Sequence, residues 1–95
     1  MAIATTRFDI QDHLKAREDQ IAYLEAALED GDPALIAAAL GDVARAQGAS
    51  QFARDTGLSR ETLYKGFRIG GNPTLATVTK ALKVLGVKLT LAPLA

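Results

Sequence analysis

The sequence predicts an all-α fold of five helices, and three observations carry that expectation. The first is composition. Among 95 residues, 18 are Ala and 13 are Leu, while aromatic residues make up only 5%. Ala and Leu favour helices, and the β-branched and aromatic side chains that suit strands are scarce. The second is spacing, because apolar residues recur every three or four positions, the period of one helix face. The third is punctuation. Gly31, Gly48, Gly57 and Gly86 follow the apolar runs, and Asp32, Ser50, Ser59 and Thr74 precede them, as helix ends and helix starts require. The length suits one small domain. An apolar share of 48% argues against a disordered chain, and an all-β sandwich or barrel is disfavoured.

Residues 1–10 show no helical period, and Arg7-Phe8-Asp9-Ile10 reads as a short extended segment. A first helix is expected from Glu18 to Asp30, with Ile21, Leu24 and Leu28 on one stripe and Tyr23 and Ala27 beside it. Glu18-Asp19 suits its N-terminus, where the helix dipole favours negative charge. Gly31 stops it. Asp32-Pro33 starts the second helix, with Asp as N-cap and Pro at a position where its missing N–H does no harm. Ile36, Leu40 and Val43 form its apolar stripe, and Gly48 ends it. Ser50 is expected to cap a short third helix, Gln51 to Thr56, which turns Phe52 and Ala53 inward. Gly57 breaks that helix, Leu58 follows, and Ser59 caps a fourth running from Arg60 to Phe67. Gly70-Gly71-Asn72-Pro73 is the strongest loop signal in the chain. Thr74 caps a fifth helix whose Leu75, Val78, Leu82 and Leu85 repeat at spacings of three, four and three. After Gly86, Val87-Lys88-Leu89-Thr90-Leu91 alternates apolar and polar, as an edge or dimer-pairing strand would. A short C-terminal strand is therefore expected beside the five helices.

Net charge is zero, yet it is unevenly divided. Through Gly48, four basic residues stand against nine acidic ones; from Ala49 onward, seven basic residues stand against two. The halves thus carry −5 and +5. Such asymmetry suggests a basic surface for phosphates and an acidic one for a cationic partner. The plainer reading is a set of solvated helix faces that serve solubility. No stretch approaches the roughly 18 apolar residues of a membrane span. The segment from Met1 to Arg7 lacks the apolar core of a signal peptide, so a cytoplasmic protein is expected. The absence of Cys removes disulfides and thiolate metal sites. His13 is the only His, which removes most zinc sites. No metal and no cofactor are expected.

The informative stretch is Ser50-Gln-Phe-Ala-Arg-Asp-Thr-Gly-Leu-Ser-Arg-Glu-Thr-Leu-Tyr-Lys65. It reads as short helix, glycine turn, second short helix. Ala53 is small where two steeply crossing helices must approach, Leu58 anchors the turn, and Leu63 holds the second helix against the first. That is the pattern of a helix-turn-helix, in a compact domain of phage-repressor type, whose second helix enters the major groove by its N-terminal residues. Glycine-turn helix pairs also occur in plain helical proteins. If the pattern binds DNA, Ser59 opens the recognition helix and Arg60, Glu61 and Lys65 lie on its outward face. Arg or Lys donates to guanine O6 and N7, and Glu accepts from cytosine N4. Thr62 and Tyr64 flank that face, within reach of a thymine methyl or a phosphate. Ser50, Gln51 and the backbone N–H groups beside them suit a phosphate, and Arg68 lies near the sugar-phosphate backbone. Lys80 and Lys83 read as solvated charges.

Other constellations carry less. His13 among Asp9, Asp12 and Glu18 is a lone surface imidazole rather than a metal or acid–base site. Gly70-Gly71-Asn72 lacks the Lys-Ser/Thr pair and the preceding strand of a phosphate loop. Tyr64 and Lys65 point about 100° apart on a helix, which rules out a catalytic dyad between them. No set of nucleophile, base and orienting group is visible. The chain reads as a non-enzyme.

Two stretches carry a family resemblance. Asp-Gly-Asp-Pro-Ala-Leu-Ile-Ala-Ala-Ala-Leu-Gly-Asp-Val-Ala-Arg-Ala-Gln-Gly spans 30–48 and leads into Ser-Gln-Phe-Ala-Arg-Asp-Thr-Gly-Leu-Ser-Arg-Glu-Thr-Leu-Tyr-Lys. Gly-Asn-Pro-Thr-Leu-Ala-Thr-Val and Val-Leu-Gly at 84–86 complete the pattern, and Tyr23 to Asp30 extends it upstream. Together they resemble the probable addiction module antidote proteins, HigA-like antitoxins with an Xre/Cro-type helix-turn-helix. The chain departs from that pattern at Gly66-Phe67-Arg68-Ile69-Gly70-Gly71, where the family has Ala-Leu and a Ser-Pro-Glu-Gly-like turn. The resemblance implies a type II antitoxin that binds a small RelE/ParE-like toxin and, as a dimer, represses their shared promoter. On this reading residues 1–32 are an N-terminal segment and helix for the toxin, with Phe8 to Leu28 as the contact, and residues 33–95 are the DNA-binding domain. Two alternatives stay open: a stand-alone phage-type transcriptional repressor, and a helical protein-interaction module that never meets DNA. A homodimer is expected from the small domain and the alternating tail, and because a single module buries only roughly 600–1,000 Å² on DNA.

Overall fold

A computed structural model of the chain describes residues 13–94. The short extended segment expected at Arg7 to Ile10, and the carboxylates Asp9 and Asp12 near His13, lie outside the described residues. Five α-helices organise the rest: α1 (Arg17–Asp30), α2 (Pro33–Gln47), α3 (Ala49–Thr56), α4 (Arg60–Gly66) and α5 (Leu75–Val84). None of them is long and apolar enough to cross a membrane.

The centre of the fold follows from the Ala-rich run in α2. Every residue from Ala37 to Ala44 is buried, so α2 is covered on several sides at once. It packs against α1, α3 and α4, and α5 closes the other side through α3. Small side chains let those neighbours come close, and the larger ones fill what remains: Leu24, Leu40, Phe52, Leu63, Phe67, Leu82 and Leu85 share one core. Asp32 starts α2 as expected, its carboxylate accepting from the Ala34 N–H at 2.9 Å.

α1 is held by polar ties as well as by Leu24. Tyr23 donates its hydroxyl proton to Asp42 Oδ2 at 2.6 Å. Gln47 Nε2 donates to Gln20 Oε1 at 2.9 Å, and Gln20 Nε2 donates to the Leu14 carbonyl at 2.7 Å. Arg17 Nε donates to the Leu85 carbonyl at 2.8 Å, which fastens the start of α1 to the end of α5. Buried polar groups such as Gln20 and Asp42 are tolerable in a core only with partners of this kind.

Two expectations are corrected. Ser50 does not cap the third helix. Gly48, at φ +92°, both ends α2 and precedes α3, so the helix begins at Ala49 and Ser50 sits inside its first turn. The two helices are joined with almost no linker, and the Phe52 N–H bonds to the Gly48 carbonyl instead. The C-terminal strand is also absent: Val87 to Leu91 takes no regular secondary structure, and no strand occurs among the described residues. A strand exists only by pairing, and every other element around it is helical.

Candidate nucleic-acid interface

α3 and α4 are joined by three residues. Gly57, at φ +75°, takes the left-handed conformation that lets its N–H return to the Ala53 carbonyl at 3.0 Å. The half-buried Leu58 pins the turn to the core, while its N–H is held by Thr56 Oγ1. Ser59 then starts α4, accepting from the Thr62 N–H at 3.0 Å and donating its own proton to Thr62 Oγ1 at 2.8 Å. The inward side chains are Phe52 and Ala53 from α3 and Leu63 from α4, with Phe67 just beyond, all buried.

At about 100° per residue, burying Leu63, Gly66 and Phe67 leaves an arc from Arg60 through Tyr64 and Glu61 to Lys65 facing solvent. The structure places Arg60, Glu61, Thr62, Tyr64 and Lys65 there, all exposed. They are stitched to one another along the helix. Arg60 Nη2 donates to Tyr64 Oη at 2.8 Å, with its guanidinium 5.5 Å from the ring centroid. Lys65 Nζ lies 3.2 Å from Glu61 Oε1. Both pairs have i,i+4 spacing within α4.

The remaining candidates flank this face. Ser50 and Gln51 are exposed in the first turn of α3. Gln51 bridges its own helix, donating to Asp55 Oδ1 at 2.8 Å and accepting from Arg54 Nη2 at 2.9 Å. Arg68 follows the end of α4, its Nε donating to the Lys65 carbonyl at 3.2 Å. Arg54 therefore joins Arg60, Lys65 and Arg68 on the α3–α4 surface, four cations against Asp55 and Glu61. Lys80 and Lys83 border a shallow hollow with Asp55 and Thr56, so α5 continues positive charge past the end of α3.

Sequence reasoning missed what sets the height of α4. A Cβ on Gly41 of α2 would overlap the Phe67 carbonyl oxygen, so a glycine in mid-helix marks where the end of α4 rests on α2. A Cβ on Gly71 would overlap the Gly66 carbonyl, which folds the following loop back on α4. A helix-interior glycine, costly by propensity, is the signal that could have found Gly41.

The family described as "Probable addiction module antidote protein" matches residues 4–93. An uncharacterized protein of Haemophilus influenzae is 48% identical over 81 residues, 85% of this chain and 84% of the relative. No solved structure matches.

Proposed function

The chain belongs to the family of probable addiction module antidote proteins, and from that premise we propose that it is the antitoxin of a type II toxin–antitoxin module. It neutralises a small RelE/ParE-like toxin by direct binding. As a homodimer it represses its own operon through sequence-specific binding to operator DNA. The HigA-like, Xre/Cro-type assignment gives the means: α3 lies across the phosphate backbone, and α4 enters the major groove by its N-terminal residues. Residues 33–95 are the DNA-binding unit, and residues 1–32 supply the toxin contact.

The observation that carries this reading is the outward face of α4. A short helix, capped by Ser59 after a three-residue turn, presents Arg60, Glu61, Tyr64 and Lys65 with no role in the core. Magnitudes decide whether their intrahelical pairs would hold them back. An exposed i,i+4 pair contributes only about 0.2–0.5 kcal/mol, whereas a bidentate contact to the right base is worth about 1–3 kcal/mol. The pairs yield to DNA. Arg60 and Lys65 then donate to guanine and Glu61 accepts from cytosine, while Thr62 and Tyr64 take a thymine methyl or a phosphate. Ser50 and Gln51, with the first-turn N–H groups of α3, hold one phosphate, and Arg68 another. On α1, Glu18, Asp19 and Glu25 are exposed; they favour a toxin whose RNA-binding surface is basic.

Co-expression with the neighbouring gene product, followed by pull-down and growth rescue, tests the antitoxin role. A mobility-shift titration on the operator tests the DNA role. Arg60→Ala should cost about 1–3 kcal/mol at one or two base positions and leave the fold intact. An unchanged affinity removes Arg60 from base reading, and a chain without salt-dependent DNA binding removes the repressor.

A further inference from the structure

A groove runs between α1, α5 and the segment after α5, away from the α4 face. Leu24 and Leu82, both buried, form its floor, and Ile21 and Val87 are half-buried on its walls. At its lips Leu28 and Leu89 are 42% and 41% exposed. The groove is built in, not incidental. Gly86, at φ +74°, lets its N–H reach the Lys83 carbonyl and the Val87 N–H reach the Leu82 carbonyl at 3.1 Å. This paired closure of a helix end brings Val87 back over Leu82 and sends Leu89 across to Leu24 and Leu28. The Arg17–Leu85 bond holds the two sides of the groove at a fixed spacing. Beyond it, Leu91 and Leu94 are fully exposed.

The edges of the groove have opposite charge. On α1, Glu18, Glu25 and Glu29 are exposed and fall within about 40° of one another, beside Ile21 and Leu28. On the far edge, exposed Lys83 and Lys88 line the continuation of the groove. A uniformly basic partner would be repelled by the lysines, and a uniformly acidic one by the glutamates. A second copy of this chain fits both edges. A two-fold axis lying along the groove, between the two apolar floors, sets each glutamate stripe against its partner's lysines, since such an interface presents the same patch twice.

We propose that this face is the homodimer interface: two chains bury Leu28 and Leu89 against each other, with Glu25 and Glu29 of each facing Lys83 and Lys88 of the other. The proposal deepens the dimer of the functional reading and does not depend on DNA binding. None of Arg60, Glu61 or Lys65 lines the groove, so both α4 faces stay open in the dimer.

Sedimentation of the full chain tests it with two charge-reversed proteins, Glu25→Lys/Glu29→Lys and Lys83→Glu/Lys88→Glu. All four positions are exposed, so circular dichroism should remain that of the wild type. The wild type should be a dimer at micromolar concentration. Each variant alone should dissociate about tenfold or more readily, because like charges then face each other on both edges. An equimolar mixture of the two should restore the dimer, as a heterodimer. Wild-type monomers, variants that dimerise as well as the wild type, or a mixture that stays monomeric would each overturn the interface. Variants that keep the dimer and lose only the toxin would overturn it too, by giving the face to the toxin. A charge-dependent dimer that ignores operator DNA supports the interface and sinks the repressor instead.

Discussion

α2 and α4 are two extremes of one small chain. In α2 the residues from Ala37 to Ala44 are all buried and most of them are Ala or Gly. In α4 only Leu63 and Gly66 are buried, and the other side chains project into solvent. Size decides residue choice in the first helix, because a methyl group too many has nowhere to go in a close-packed interior. Chemistry decides it on the outward face of the second, where Arg60 bonds Tyr64 and Lys65 pairs with Glu61. A mutation in α2 should therefore register in stability, and one on the face of α4 in what the protein binds.

Gly41→Ala should show the largest effect, and it can break the comparison. The added Cβ would run into the Phe67 carbonyl oxygen, a backbone atom with no rotamer to escape by. α2 and the end of α4 must move apart, at about 1–3 kcal/mol by the usual measure of overpacking. Urea unfolding would read this as a lower midpoint at unchanged slope. Unaltered stability would mean that the approach of these helices is not fixed by steric fit. The opposite extreme would then lose its meaning.

Exposure alone is not freedom, and Asp32→Ala sharpens that point. Asp32 is exposed, yet its carboxylate holds the Ala34 N–H at the start of α2. Losing an N-cap costs about 1 kcal/mol. The thermal midpoint should fall, while the operator affinity proposed for the α4 face should stay constant at saturating folded protein. A stability unchanged within error would show that Pro33 and the packing of α2 define the helix start without the cap.

The same contrast marks what could be read from the sequence. Helices were legible because each one carries its own period and its own stop, and Asp32, Ser59 and Thr74 cap as their residue types require. Ser50 misled because a cap is defined by backbone geometry, and Gly48 claims that geometry two residues earlier. The tail misled because alternation permits a strand but only pairing completes it, and no strand stands beside it among the described residues. The ties from Tyr23 to Asp42 and from Arg17 to the Leu85 carbonyl join residues far apart in the chain, where no periodicity points. On α4 the outward arc followed from the helix period alone. Its i,i+4 pairs were equally local, and could have been read from Arg60-x-x-x-Tyr64 and Glu61-x-x-x-Lys65.

Lys65→Ala should have the smallest effect on stability and tests the other half of the contrast. Its partner Glu61 is as exposed as Lys65 itself, at 76% against 75%. A pair so open to water is screened by salt and contributes at most a few tenths of a kcal/mol. The thermal midpoint should therefore hardly move. If Lys65 meets a phosphate, binding should weaken evenly across sequences and the salt dependence should lose about one counterion. If it meets a guanine, the loss should concentrate at one base pair and the salt slope should change less. A Lys65→Ala protein that unfolds more easily yet binds its operator unchanged would reverse the assignment, making the outer face of α4 structural.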